Sequence, residues 1–409
     1  MLNVSERRVV FLVGAVQFVN VLDFTMVMPL GPDFAHALGI PTSDLGKIVA
    51  GYGPAAALSG LLSSFFLDRF DRRSALAVAM LGLVVGTLFG GLAHDLPTLT
   101  LARVIAGLFG GPATSIAYAI IADVIPPERR GKAMGAVMGA FSVAQIVGVS
   151  AAVMVASAWG WRMPFFIVAG IGLFVTLGAA FLLPPMRTHL AKTEPKAASL
   201  RELMSRPIVW ISYAMTAVLM ASGFLLIPNL PAYLMSNLHY PRNHYQYLTA
   251  VGGIASFVTL RLVGRLVDRT SSLRITVIAV PIGLVITYFY LVKPLPLPVM
   301  LFYVSFMMAL GAPNVAYNAL TSKVPRPYER ARFLSIQSTV YHATAGLAAW
   351  FSAGLLRQRP DGTLEGIPRV ALLSMALTIV FPFLVAIVEL RVESERRAAQ
   401  TRSALPPTA

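Results

Sequence analysis

The chain has 409 residues, of which 56% are hydrophobic and only 12% charged. That is about half the charged share of a soluble domain, too little to cover the surface of a water-soluble protein this size. A soluble enzyme is excluded, and an all-α polytopic membrane protein is the expected class. A net charge of +15 would suggest nucleic acid in a soluble protein; here it asks which loops hold the Lys and Arg. The absence of cysteine excludes thiol catalysis, Cys metal sites and disulfides.

Apolar runs of membrane length occupy 9–30, 46–67, 74–93, 97–121, 133–157 and 163–184, then 208–231, 245–267, 274–292, 298–320, 333–356 and 368–390. Twelve transmembrane helices are expected. The first run begins directly after Met1–Arg8 and is too long for a cleaved signal peptide. In span 1, Gln17, Asn20 and Asp23 fall three residues apart, so one helix face is polar. Facing lipid, that stripe would be costly, and an internal cavity is the expected neighbour.

The loop after span 2 carries Asp68, Arg69, Arg72 and Arg73. Span 3 has glycines at 82, 86 and 90, and span 5 opens with glycines at 131, 135 and 139, a spacing that permits close helix approach. Span 4 holds Arg103, Tyr118 and, at its end, Asp123; span 5 holds Gln145. Asp23 precedes Pro29, and Arg103 follows Pro97, by six residues each, or about 9 Å of helix. The two should meet at one depth. Either Asp23 carries a coupling proton whose affinity Arg103 sets, or the pair contacts the substrate, or it is a fixed ion pair that orients the helices.

Residues 185–206 form the longest polar connection and divide the chain into a first six-helix unit, 1–184, and a second, 207–390. Tyr213 lies in span 7. Arg261 lies near the end of span 8, where it can snorkel. Asn314, Tyr317 and Asn318 follow in span 10, and Gln337, Tyr341 and His342 in span 11. Together with Gln17, Asn20, Asp23, Arg103, Tyr118 and Gln145 of the first unit, these are substrate-contact candidates, with interhelix hydrogen bonding as the competing role. His342 is expected near mid-membrane, either titrating near neutral pH or packed and hydrogen-bonded. Residues 391–409 read as a disordered tail.

With the N-terminus inside the cell, 24 of the 33 Lys and Arg fall on cytoplasmic segments and 7 on external loops, which places both termini inside. Asp68–Arg69 recurs 200 residues on as Asp268–Arg269, and Glu128–Arg129 recurs 201 on as Glu329–Arg330. Two motifs at nearly one offset indicate a duplicated six-helix unit.

The pattern Asp68-Arg69-x-x-Arg72-Arg73 and its echo Gly264-x-x-x-Asp268-Arg269 resemble the signature loop of the major facilitator superfamily, with Ser64 and Asp71 in place of two glycines. Leu22-Asp23-Phe24-Thr25, Leu101-Ala-Arg103 and Gly160-Trp161-Arg162 are similar to the drug:proton antiporter and sugar-efflux group within it. The resemblance implies two pseudo-symmetric bundles and a cavity lined by spans 1 and 4. It also implies a conformational latch of Asp68, Arg69, Arg72, Arg73, Asp123, Asp268 and Arg269. The expected activity is export of a small organic compound in exchange for protons. An uncoupled sugar or metabolite facilitator and, further off, a lipid transporter are the alternatives. No nucleotide-binding loop, metal ligand set or cofactor motif occurs; the expected partners are a small-molecule substrate, protons and the bilayer, with a monomer as the working unit and the inner (plasma) membrane as its location.

Overall fold

The computed structural model describes residues 4–66, 70–184, 186, 200–326 and 329–404. Span 1 is Val4–Met26, span 2 Leu45–Phe66, span 3 Arg72–Leu92 and span 4 Leu96–Val124. Span 5 is composite: Pro127–Val143, a π turn at Ala144–Gly148, then Val149–Trp159. Span 6 is Met163–Leu182. The second half repeats the order with Pro207–Leu226, Tyr245–Arg269, Ser272–Thr287 continued by a π turn to Val292, Val299–Thr321, Arg330–Leu355 and Ile367–Ala404. Short helices Gly31–Leu38 and Leu230–Ser236 follow spans 1 and 7. A two-residue hairpin pairing, Arg357–Gln358 with Leu364–Glu365, joins spans 11 and 12.

Ten of these helices are apolar and long enough to cross a membrane by composition alone. The other two of the twelve are spans 5 and 11, equivalent positions in the two units. Both pack against the opposite half rather than standing wholly in lipid, so their sequences carry more polar groups. Elsewhere the exposed surface is greasy, with Phe174, Phe181, Phe383 and Leu390 turned outward, as a bilayer requires.

Helix starts are set by local chemistry. Asp71 caps span 3, accepting from Arg73 N at 2.9 Å, and Ser271 caps span 9 by accepting from Arg274 N. The acid at 71, where the resembled loop has glycine, therefore has a helix-capping job. Asp95 and Thr98 form a capping box on span 4, and the Thr98 hydroxyl and backbone N–H hold the Asp95 carboxyl below the usual carboxylate range.

Two expectations change. Residues 391–404 are not irregular: span 12 continues as helix to Ala404, and the rest of the expected tail lies outside the described residues. Gly135 and Gly139 face open space rather than a neighbouring helix. The span 3 glycines do pack closely: a Cβ on Gly86 would lie 2.5 Å from Ala106 N of span 4.

The halves meet on the face opposite the termini. There Arg242 and Asp33 form a two-pronged ion pair at 2.6 and 2.7 Å, and Thr42 N donates to Gln358 Oε1. Gly53 lets span 2 touch span 11, since a Cβ there would sit 2.5 Å from His342 O. Nearer the termini, Ser115 and Ser335 share a hydrogen bond across the halves.

Candidate functional site

Asp23 and Arg103 meet, as their depths require. Arg103 Nη1 lies 2.9 Å from Asp23 Oδ2 and also donates to the Asp23 carbonyl at 3.3 Å. Thr87 of span 3 donates to Asp23 Oδ1 at 2.6 Å. Both side chains are essentially inaccessible, at 0% and 1%. The guanidinium lies 5.3 Å from the Phe165 ring centroid of span 6, and its Nη2 reaches the Gly86 carbonyl. Four helices thus enclose one ion pair, with the Arg103 Nε left without a partner among the described residues. Thr87 carries no charge and no unusual spacing, so only its place in the fold reveals it.

One turn away, Asn20 donates to the Gly110 carbonyl and to Thr114 Oγ1, and accepts from Tyr52 OH. Thr114 donates to Gln17 Oε1 at 3.3 Å, and Tyr118 reaches Gln17 from the same helix face. In this conformation the polar stripe of span 1 stitches span 1 to spans 2 and 4.

Phe24, next to Asp23, begins an aromatic cluster that crosses between the halves. Its ring centroid is 4.9 Å from Tyr52, 5.2 Å from His342 and 5.8 Å from Phe224. Tyr341 packs on His342 at 5.0 Å. The His342 Nδ1 is shielded and without a hydrogen-bond partner among the described residues.

A cavity of about 380 Å³ lies beside this cluster. Of the sequence candidates, Gln145, Asn314, Asn318 and Tyr341 line it. Gln17, Asn20, Asp23, Arg103, Tyr118, Gln337 and His342 are not among its lining residues. Gln337 instead bonds Tyr317, which also shares a hydrogen bond with Thr216. Arg261 is exposed and stacks over Phe257.

Of the expected latch residues, Asp68 and Arg69 lie outside the described residues. Arg72 Nε donates to Asp123 Oδ2 at 3.2 Å, which joins spans 3 and 4 within the first half. Asp268 and Arg269 are exposed at the end of span 8. A pairing that sequence reading missed lies on the same face. Arg129 donates to Glu6 at 3.0 Å, and Arg206 donates to Glu329 at 2.7 Å. Glu6 and Arg206 are 200 residues apart, as are Arg129 and Glu329. Each half ties its first helix to its fifth with the same bridge, and the charges are reversed between halves. Applying the repeat offset to the charges of the loops would have found it.

The family model for the Major Facilitator Superfamily matches residues 13–349. The chain belongs to the major facilitator superfamily. It is 23% identical over 297 residues to the multidrug resistance protein 2 of Bacillus subtilis (strain 168), covering 70% of this chain and 74% of that one. It is also 23% identical over 377 residues to a chloramphenicol resistance protein of Streptomyces lividans, covering 88% and 91%. In fold it is similar to the xylose transporter XylE from E. coli in a partially occluded inward open conformation. There the TM-score is 0.71 at 15% identity, over 93% of this chain and 97% of that one. This superfamily member is therefore a multi-span membrane transporter with the fold that its duplicated sequence implies.

Proposed function

We propose that this transporter exports a small organic compound in exchange for protons, with Asp23 as the proton carrier and both termini in the cytoplasm. The names of the multidrug and chloramphenicol resistance relatives support the substrate type, and the 24-to-7 division of basic residues supports the orientation. One observation carries the coupling. Both Asp23 oxygens are already occupied, Oδ1 by Thr87 and Oδ2 by Arg103. Protonation would remove the charge that holds Arg103 against Asp23 and weaken the tie between spans 1 and 4, which couples proton binding to helix rearrangement. In that orientation the Asp33–Arg242 face is the outer one, and this conformation is closed to the outside.

The test is transport by purified protein in liposomes with an imposed pH gradient. Asp23→Asn should abolish gradient-driven accumulation while leaving slow downhill flux. A second reading draws on the burial of the pair: a fixed ion pair that only orients spans 1, 3 and 4. Under that reading, Asp23→Asn lowers stability but keeps the gradient dependence, and the protein is an uncoupled facilitator. The latch formed by the Asp68 loop with Asp123 and the monomeric state belong to the same proposal, and Asp68→Asn should alter the ratio of inward to outward accessibility.

A further inference from the structure

The repeat places a second feature beside the ion pair. Pro29 and Pro32 recur 199 residues on as Pro228 and Pro231, Thr87 recurs 200 on as Thr287, and Pro97 and Pro112 recur 201 on as Pro298 and Pro313. By these local offsets the counterparts of Asp23, Thr87 and Arg103 are Ser222, Thr287 and Val304. The first half fills this position with an acid, a guanidinium and the Phe165 ring. The second half has a small hydroxyl where the acid stands and an aliphatic side chain where the guanidinium stands. Ser222, Thr287 and Tyr303, the neighbour of Val304, line the cavity. Its walls run from Thr25, Met28 and Gln145 of the first half to Gly283 of span 9 and Ser374 of span 12, with most of the lining in the second half.

We propose that this pocket binds an uncharged amphipathic solute and that it is physically separate from the proton site. The inference rests on the exporter reading and adds the substrate class and its location. Among the described residues, none that lines the cavity is Asp, Glu, Lys, Arg or His. An ion placed there would lose its hydration without meeting a countercharge, a loss that neutral hydrogen bonds do not recover. Neutral polar groups are served. Gln145, Asn318 and Tyr341 line the cavity and make no side-chain hydrogen bond with another described residue. Asn314 uses its amide N–H on Leu310 O, which leaves its carbonyl to accept. A largely apolar wall with a few separated donors and acceptors suits a hydroxyl- or amide-bearing lipophile, and about 380 Å³ is within the usual range for drug-sized ligands. Phe224 both lines the pocket and stacks on Phe24, the neighbour of Asp23. The solute and the proton communicate through that contact rather than by competing for one carboxylate.

The test is equilibrium binding to the purified full-length protein at fixed pH without a gradient, using chloramphenicol and a short-chain alkyl glucoside as neutral probes and tetraphenylphosphonium as the cation. Wild type should bind a neutral probe at least tenfold more tightly than the cation. Gly283→Leu fills the pocket where a Cβ meets only Ala309 Cβ at 3.5 Å, and should weaken neutral binding by tenfold or more with an unchanged melting temperature. Ser222→Asp, which restores the acid of the first half, should reverse the preference toward the cation. Asp23→Asn should lose gradient-driven transport yet bind the neutral probe within twofold of wild type. Failure of both neutral probes to bind, tighter wild-type binding of the cation, or loss of binding in Asp23→Asn but not in Gly283→Leu would each overturn the proposal. Loss of gradient coupling alone speaks only to the transport reading.

Discussion

In the proposed orientation, Asp33→Asn should open the transporter on its outer face. The carboxylate meets Arg242 through two charge-assisted bonds of 2.6 and 2.7 Å, and it is the one ion pair joining the halves among the described residues. Hydrogen bonds to charged groups contribute about 1.5–3 kcal/mol each when buried, while exposed ion pairs contribute about 0.2–1 kcal/mol. The two side chains retain 30% and 21% exposure, so the pair belongs between those limits, at about 1.5 kcal/mol. The amide keeps one acceptor and nearly the same shape, which isolates the lost charge. At about 1.4 kcal/mol per factor of ten, the outward-open population should rise roughly tenfold. The protein lacks cysteine, so a single introduced thiol reports without background. Met28→Cys lines the cavity close to the closed face. Its rate of modification by an impermeant maleimide added outside should rise about tenfold in Asp33→Asn, and the exchanged pair Asp33→Arg with Arg242→Asp should return it toward wild type. A change below twofold, or an exchanged pair as reactive as Asp33→Asn, would refute the assignment of this pair as the outer clasp.

Other perturbations follow from the same geometry. Gly53→Val places atoms against His342 O, where even a Cβ would come within 2.5 Å, and should prevent closure of the outer face, trapping Met28→Cys in its reactive state and abolishing turnover. Gly86→Leu pushes span 3 off Ala106 and away from the ion pair; a loss of about 3 kcal/mol or more is expected from overpacking, visible as a lower melting temperature of the purified protein. The reversed bridges make a charge exchange testable: Glu6→Arg with Arg129→Glu should recover most of the stability lost by Glu6→Arg alone, read as the melting temperature, whereas equal loss in both would show that the bridge does not depend on sign. Arg103→Met should destabilise more than Arg103→Met with Asp23→Leu, because the single change leaves a carboxylate buried without its countercharge.

The twelve spans, the duplication and the meeting of Asp23 with Arg103 were legible because each rests on a one-dimensional regularity: span length, a repeat offset, and six-residue distances from Pro29 and Pro97. The polar stripe at 17, 20 and 23 was legible as buried, but not as a stitch between spans 1, 2 and 4, since Tyr52 and Thr114 give no signal until the helices are packed. For Gln337 cavity and packing roles were equally open and for His342 packing was the favoured one; in this conformation Gln337 bonds Tyr317 and His342 packs in the Phe24 cluster. The helical tail escaped because its polar composition gives no membrane signal.

Sequence by itself determined the solvent, the number of spans and the two-fold plan, since hydrophobic length and charge placement answer directly to the bilayer. Tertiary structure alone decided which polar groups face a partner and which face space. The buried side chains of Gln17, Asn20 and Asp23 in span 1 are satisfied by atoms 32 to 97 residues away. In this chain those atoms closed the first half around an ion pair and left, between that half and the second, a cavity with no charged side chain among its described lining residues.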